Sequence, residues 1–299
     1  MNSEETISKI RNQLKQYTVD NNLKALVLGI SGGIDSALVA ALARPVCDEI
    51  GIPLIGRSLP IETNTSDEIS IAKMVGEAFC TDFIEESLSH MYEATMMTHY
   101  GTTNLPDANK ETKIAVGNIK ARLRMIHLYH LAGINKGLVI GTTNYTEALL
   151  DFYTIGGDGQ ADYEPLFYYW KTEVYELAKY LAAKVYSVID EPEKINALFP
   201  AINAVATDGL GISKSDLEQL GADSYEQVDK ILKTWLCDDE DKYIYDEIYK
   251  FEKRLKLDID KTGEWDRWLY YRNQYKDHPV IKRYLKSFKG NLPICPDRI

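Results

Sequence analysis

The chain has 299 residues, 45% of them hydrophobic and 26% charged, with a formal net charge of −11. That is enough apolar length for a large core in one or two domains, with the composition of an ordinary globular protein. The acidic balance and the lack of a Lys/Arg run exclude a broad nucleic-acid footprint, and no apolar run is long enough to span a bilayer. Neither nucleic acid nor membrane is therefore an expected partner. The acidic, amphipathic start MNSEETISKIRNQLKQY is not of secretory-leader type. Cys47, Cys80, Cys237 and Cys295 are far apart and form no CxxC pair, so reduced thiols in a cytoplasmic protein are expected.

In chain order, residues 4–18 predict a helix with Ile7, Ile10, Leu14 and Tyr17 on one face. The short apolar run over 26–30 predicts a buried strand, and ALVAALARPV after it predicts a helix. A second strand is expected over 53–59, a helix over 67–80 capped by Thr65-Ser66-Asp67, and a third strand near 82–85. The Thr, Gly, Asn, Pro and Asp of 98–112 read as a loop, 112–133 as a long helix and 138–142 as a fourth strand. Residues 151–165 read as a functional loop and 171–184 as a helix. The stretch 190–223 is irregular, helices are expected over 224–237 and 240–256, and the proline-bearing tail 277–299 is expected to be extended.

Strands alternating with helices imply an α/β fold with a doubly wound, mainly parallel sheet flanked by helices. A single domain over 1–299 is expected, with a core over about 20–235 and a helical and extended C-terminal region from about 236. Such sheets bind ligands at the carboxyl ends of their strands.

The hexapeptide Ser31-Gly32-Gly33-Ile34-Asp35-Ser36 follows the first strand and opens a helix. Its glycines allow a tight turn that points N–H groups at an anion, and the helix N-terminus adds a positive dipole end. No Lys follows the glycines, so it is not the GxxxxGK[ST] loop, nor is it GxGxxG. A carboxylate beside a phosphate cradle calls for a cation between them, so Asp35 implies Mg²⁺. The other reading of Asp35 is a helix capper.

The hexapeptide resembles the pyrophosphate loop of the ATP pyrophosphatase superfamily, whose members form adenylates and release pyrophosphate. Five further segments narrow the likeness. Residues 117–125 (GNIKARLRM) resemble the GNxxARxRM signature of ammonia-dependent NAD synthetases, and 141–147 (GTTNYTE) their GTxNxxE. Phe152, Thr154, Gly157-Asp158-Gly159 and Asp162 resemble their FxTKYGDGxxD, and Pro165-Leu166 with Lys171-Thr172-Glu173-Val174 the stretch that follows. Residues 207–221 resemble a later stretch.

The resemblance implies an adenine nucleotide alpha-hydrolase-like fold and an ATP-dependent ligase that turns a carboxylate into an amide with ammonia. It implies that Ser31, Gly32, Gly33 and Ser36 hold the ATP phosphates, that Arg57, Arg124, Thr142 and Lys171 contact ATP, and that Asp35 and Glu147 ligate Mg²⁺. Lys171 would neutralise departing pyrophosphate. Asn118, Arg122, Phe152, Asp158, Asp162 and Lys289 would bind the acceptor, nicotinic acid adenine dinucleotide, with Asp158 accepting a proton from ammonia. Read without the resemblance, Arg122 and Arg124 also suit a solvated helix face, and Asp158 and Asp162 Asp-Gly turn chemistry. The family is homodimeric. No cysteine sits in an evident nucleophile setting, so free ammonia, or ammonia from a separate partner, is expected rather than built-in glutamine hydrolysis.

The departures from the family pattern gather at the acceptor end. Asp151 stands where the family has Gly, and Ile155-Gly156 where it has Lys-Tyr. A lost Lys removes a phosphate partner, so a different carboxylate is the alternative expectation. The mononucleotide of nicotinic acid is one example.

Overall fold

Four short segments form the strands of the computed structural model, which describes residues 1–62, 64–207, 215–236 and 275–287. They are β1 (Leu26–Gly29), β2 (Leu54–Ser58), β3 (Asp82–Glu85) and β4 (Leu138–Ile140). All pair in parallel, in the order β3-β2-β1-β4. Helix α1 (Ser3–Asp20) precedes the sheet, and α2 (Ile34–Ile50), α3 (Ser66–Phe79), α4 (Ser89–Tyr100) and α5 (Lys110–Ile134) make the crossovers. The chain moves outward from β1 to β3 and then returns to the far side of β1 as β4. This reversal puts a topological switch point between β1 and β4.

Alternation along the strands feeds two apolar layers. Leu26, Leu28, Leu54, Leu138 and Ile140 join one cluster with α1, α2 and α3. Val27, Ile55 and Val139 join the other with Ala132 of α5. Burying each Leu or Ile contributes about 2 kcal/mol, so β1 is held by both faces. Helix α1 buries Ile7, Ile10 and Leu14 as expected, but Tyr17 is rim-exposed and packs on Tyr163 at 5.0 Å, while Thr18 turns inward. The Thr65 cap is a full capping box with Glu68.

Three expectations are corrected. The loop expected over 98–112 begins only at Gly101, because α4 precedes it. That helix buries just Tyr92 and Met96, too thin a stripe to register as a period. The stretch 190–223 contains α8 (Pro192–Asn203) and α9 (Asp216–Leu220). Pro192 occupies the first turn, where its missing N–H costs nothing, and burial of Ala197, Leu198, Ala201 and Ile202 outweighs Pro200. The tail is helical over Pro279–Ser287. The helix expected over 171–184 is α7 (Lys171–Tyr180) continued by a π-helical segment, Leu181–Tyr186. The helix expected over 240–256 lies outside the described residues.

The chain divides into two compact units, Met1–Tyr145 with Tyr153–Asp216, and Thr146–Phe152 with Leu217–Ile299. The first holds the sheet. In the second, Tyr225, Val228, Ile231 and Leu232 of α10 (Tyr225–Leu236) are buried, as are Val280, Ile281 and Tyr284. Within it, Thr146 donates to Asp229 Oδ1 at 2.6 Å, and Arg283 donates to the carbonyls of Leu150 and Asp151 and stacks 4.6 Å from the Phe152 ring. Among the described residues no helix is long and apolar enough to cross a membrane.

Candidate active site

The loop after β1 is laced by its own hydroxyls. Ser36 Oγ donates to the Gly33 carbonyl at 3.0 Å and accepts from the Ser31 N–H at 3.2 Å, and the Gly33 N–H donates to Ser31 Oγ at 3.2 Å. Gly32 is in the left-handed region at φ +86, and a Cβ there would lie 2.4 Å from the Glu68 carbonyl oxygen. Only glycine meets both conditions, which explains its place in the turn. Gly33 is the N-cap of α2, and Asp35 lies in the first turn of that helix, where the dipole favours an anion.

The Asp35 carboxylate is the centre of the arrangement. Asn144, on the loop after β4, donates from Nδ2 to Oδ1 at 2.9 Å. Lys171, the first residue of α7, pairs with Oδ2, and its side chain is only 3% exposed. Helix α7 is fixed at that end by the Trp170 N–H on Glu173 and by burial of Trp170, whose ring meets Tyr145 edge-on at 4.8 Å. Three segments far apart in sequence thus place a phosphate-type loop, a carboxylate and a buried ammonium at the switch point.

A second group gathers on α5. Arg124 donates to the Leu59 carbonyl and to Asn64 Oδ1, each at 2.9 Å. Burial lowers its pKa, while the charges of Asp158 and Glu68 oppose the shift. Asp158 accepts from the Thr154 N–H at 2.9 Å, and Thr154 Oγ1 donates to Asn118 Oδ1 at 2.8 Å. Asp158 keeps exposed surface, yet surrounding protein raises the pKa of its folded-back carboxyl, opposed by the Thr154 bonds and Arg124. Arg122 is exposed and donates to the Ile155 carbonyl at 3.2 Å. Asn118, Arg122, Arg124 and Asp158 are therefore brought together.

Other expected site residues are otherwise engaged. Arg57 directs Nη1 and Nη2 to the Asp82 carboxylate at 3.1 and 3.3 Å. Asp162 splints β4, accepting from the Val139 N–H at 2.9 Å and from the Tyr129 hydroxyl at 3.1 Å. Thr142 is half-buried on the loop after β4. Glu147, in the first turn of α6 (Tyr145–Leu150), and Phe152 belong to the second unit. Lys289 lies outside the described residues. Cys47 and Cys80 are free thiols pushed up to about 12 by burial, so neither is a ready nucleophile.

Two residues escaped the sequence reading. Asn144 was inside a motif with no stated task. Glu164 accepts from the Thr143 N–H at 3.0 Å and fills the space a Cβ on Gly141 would take. Only the meeting of loops reveals either one.

Among the described residues no three His, Cys, Asp or Glu side chains gather to hold a metal. The Asp35 carboxylate is a hard oxygen donor, of the kind a divalent cation accepts.

The family model described as NAD synthase matches residues 6–278. The chain is 35% identical over 236 residues to the NH(3)-dependent NAD(+) synthetase of Thermoplasma acidophilum, covering 78% of this chain and 85% of that protein. It is 30% identical over 270 residues to the NH(3)-dependent NAD(+) synthetase of Finegoldia magna, covering 90% and 100%. Among solved structures, the NMN synthetase of Francisella tularensis matches with a TM-score of 0.65 and 25% identity over 99% of both chains.

Proposed function

We propose, on the premise that the chain belongs to the NAD synthase family, that the Asp35–Lys171 centre is where ATP activates a carboxylate for amidation. The protein is a carbon–nitrogen ligase that amidates nicotinic acid adenine dinucleotide to NAD with ammonia. A carboxylate oxygen of the acceptor attacks the α-phosphorus of ATP, the bond to the β-phosphate oxygen breaks, and pyrophosphate leaves. Ammonia then adds to the acyl carbon, loses a proton, and AMP departs with the former carboxylate oxygen. The single observation that carries this reading is the buried Lys171 ammonium held on Asp35 beside the loop of Ser31, Gly32, Gly33 and Ser36.

Most of the work for these side chains is positioning and charge neutralisation. The Lys171 ammonium is placed to pass from Asp35 to the leaving phosphates. Ser31 and Ser36 hydroxyls and the Gly33 N–H exchange their mutual bonds for phosphate oxygens. Thr142 lies on the neighbouring loop, and Arg57 reaches ATP by exchanging Asp82 for it. Asp35 would hold Mg²⁺, which supplies neutralisation of phosphate charge when bound. Asn118, Arg122 and Asp162 are assigned to the acceptor, and Asp158 to the proton released by ammonia. The raised pKa of Asp158 suits that exchange.

The test is to incubate the protein with ATP, Mg²⁺, ammonium and the dinucleotide and to follow AMP, pyrophosphate and NAD by mass spectrometry. NAD equimolar with AMP is expected, and chelation of Mg²⁺ should stop both. A second reading changes only the acceptor, to the mononucleotide of nicotinic acid. Its one support is the structural match to an NMN synthetase over 99% of both chains, whereas the sequence relatives are NH(3)-dependent NAD(+) synthetases. AMP formed with the mononucleotide and not the dinucleotide would select it.

We further assign a cytoplasmic homodimer. Met97, Ile126 and Ile134 are 51–64% exposed on α4 and α5, apolar surface that a second copy would cover. Light scattering should give twice the 33.9 kDa chain mass; a monomer at micromolar concentration would refute the dimer.

A further inference from the structure

We infer that Asn144 is a positioning residue that fixes the Asp35 carboxylate while Lys171 moves between Asp35 and the phosphates of ATP. The inference rests on the reading of Asp35 and Lys171 as the ATP-handling pair. Asn144 is wholly buried, 0% exposed, and its Nδ2 is 2.9 Å from Asp35 Oδ1. An amide facing a carboxylate must present its donor, so the orientation follows from the partner. A hydrogen bond to an ionised acceptor is among the stronger kinds. It also leaves the full negative charge on Asp35, whereas a second cation would cancel it.

The loop does not need this bond to hold its shape. The Gly141 N–H donates to the Tyr163 carbonyl at 2.8 Å, the Thr143 N–H to Glu164 at 3.0 Å, and the Tyr145 N–H to the Tyr169 carbonyl at 2.9 Å. Backbone anchors on both sides thus bring Asn144 to Asp35 already oriented. Asp35 is then held at Oδ1 by the loop after β4 and at Oδ2 by α7. When the ammonium leaves Oδ2 for a phosphate, the bond at Oδ1 keeps the carboxylate from rotating. Without Asn144 the free carboxylate can turn both oxygens to Lys171, and the ammonium becomes harder to withdraw.

The variants Asn144→Leu, which keeps bulk without a donor, and Asn144→Ser, which keeps a smaller donor, test this. Thermal unfolding, ATP affinity by calorimetry, and KM values for ATP and for the acceptor are measured. Asn144→Leu should weaken ATP binding and raise the KM for ATP about tenfold, as loss of one buried charge-assisted bond does. The KM for the acceptor should stay within about twofold, and Asn144→Ser should lie between. ATP affinity and KM at wild-type values, or a fall in kcat that only tracks the folded fraction, would overturn the inference. Wild-type protein that binds ATP but releases no AMP would instead count against the proposed reaction, while the binding data still decide the role of Asn144. Should Asn144→Leu fail to fold, the Asn144→Ser affinity decides alone.

Discussion

Asp35→Ala should end AMP release and weaken the fold at the same time. The loss of turnover should reach about a thousandfold or more, the scale on which removing one charge-organising group acts. The stability effect has a separate cause. Lys171 is 3% exposed at its side chain and pairs with Asp35. Breaking a buried ion pair by removing one member costs about 3–5 kcal/mol. Adding Lys171→Met to Asp35→Ala removes the other member of the pair as well, so the double variant should recover much of the stability and none of the activity. Urea denaturation of the single and double variants, with AMP release measured in parallel, separates the two effects. A single variant as stable as the wild type would mean that the pair is not closed in solution.

Gly32→Ala should be the most disruptive single methyl in the loop. At φ +86 an L residue pays about 1–2 kcal/mol in strain. The added Cβ would also lie 2.4 Å from the Glu68 carbonyl oxygen and 3.3 Å from the Ala72 N, so α3 must shift. The start of α3 is tightly tied. Glu68 accepts from Thr65 and Asn64, and from Thr207 Oγ1 at 2.8 Å. The expected loss is about 2–4 kcal/mol, with weaker ATP binding. Gly33→Ala is the contrast, since Gly33 has φ −79 and its Cβ would meet only Ser31 Oγ at 3.3 Å. Denaturant midpoints should rank Gly32→Ala well below Gly33→Ala. Equal midpoints would show that α3 yields without cost.

Much of the first unit was legible because its signals are local. The run over 26–30 is too short for a helix and ends in glycines, so a strand followed by a loop is what it can be. Thr65 three residues before Glu68 announces the start of α3. The faint helix α4 was missed because Tyr92 and Met96 alone define its buried face, and α8 because two prolines argue against a helix that only its burial on the core makes favourable. The loop Ser31–Ser36 with Asp35 stands out on local grounds, and Lys171 through the family resemblance alone. That Asp162 serves as a splint for β4 and Arg57 as a partner for Asp82 could not be read, since both partners come from other strands.

The sequence by itself determined the strand–loop–helix chemistry of Ser31–Ser36, the parallel α/β class and the motif order, because each depends on residues within a few positions of one another. Only the tertiary structure decided that Asn144 and Lys171, 109 and 136 residues beyond Asp35, close on the same carboxylate. The physical reason is the strand order. Placing β4 beside β1 brings two loops to one switch point, and a buried carboxylate there must find donors from whatever segments the sheet delivers.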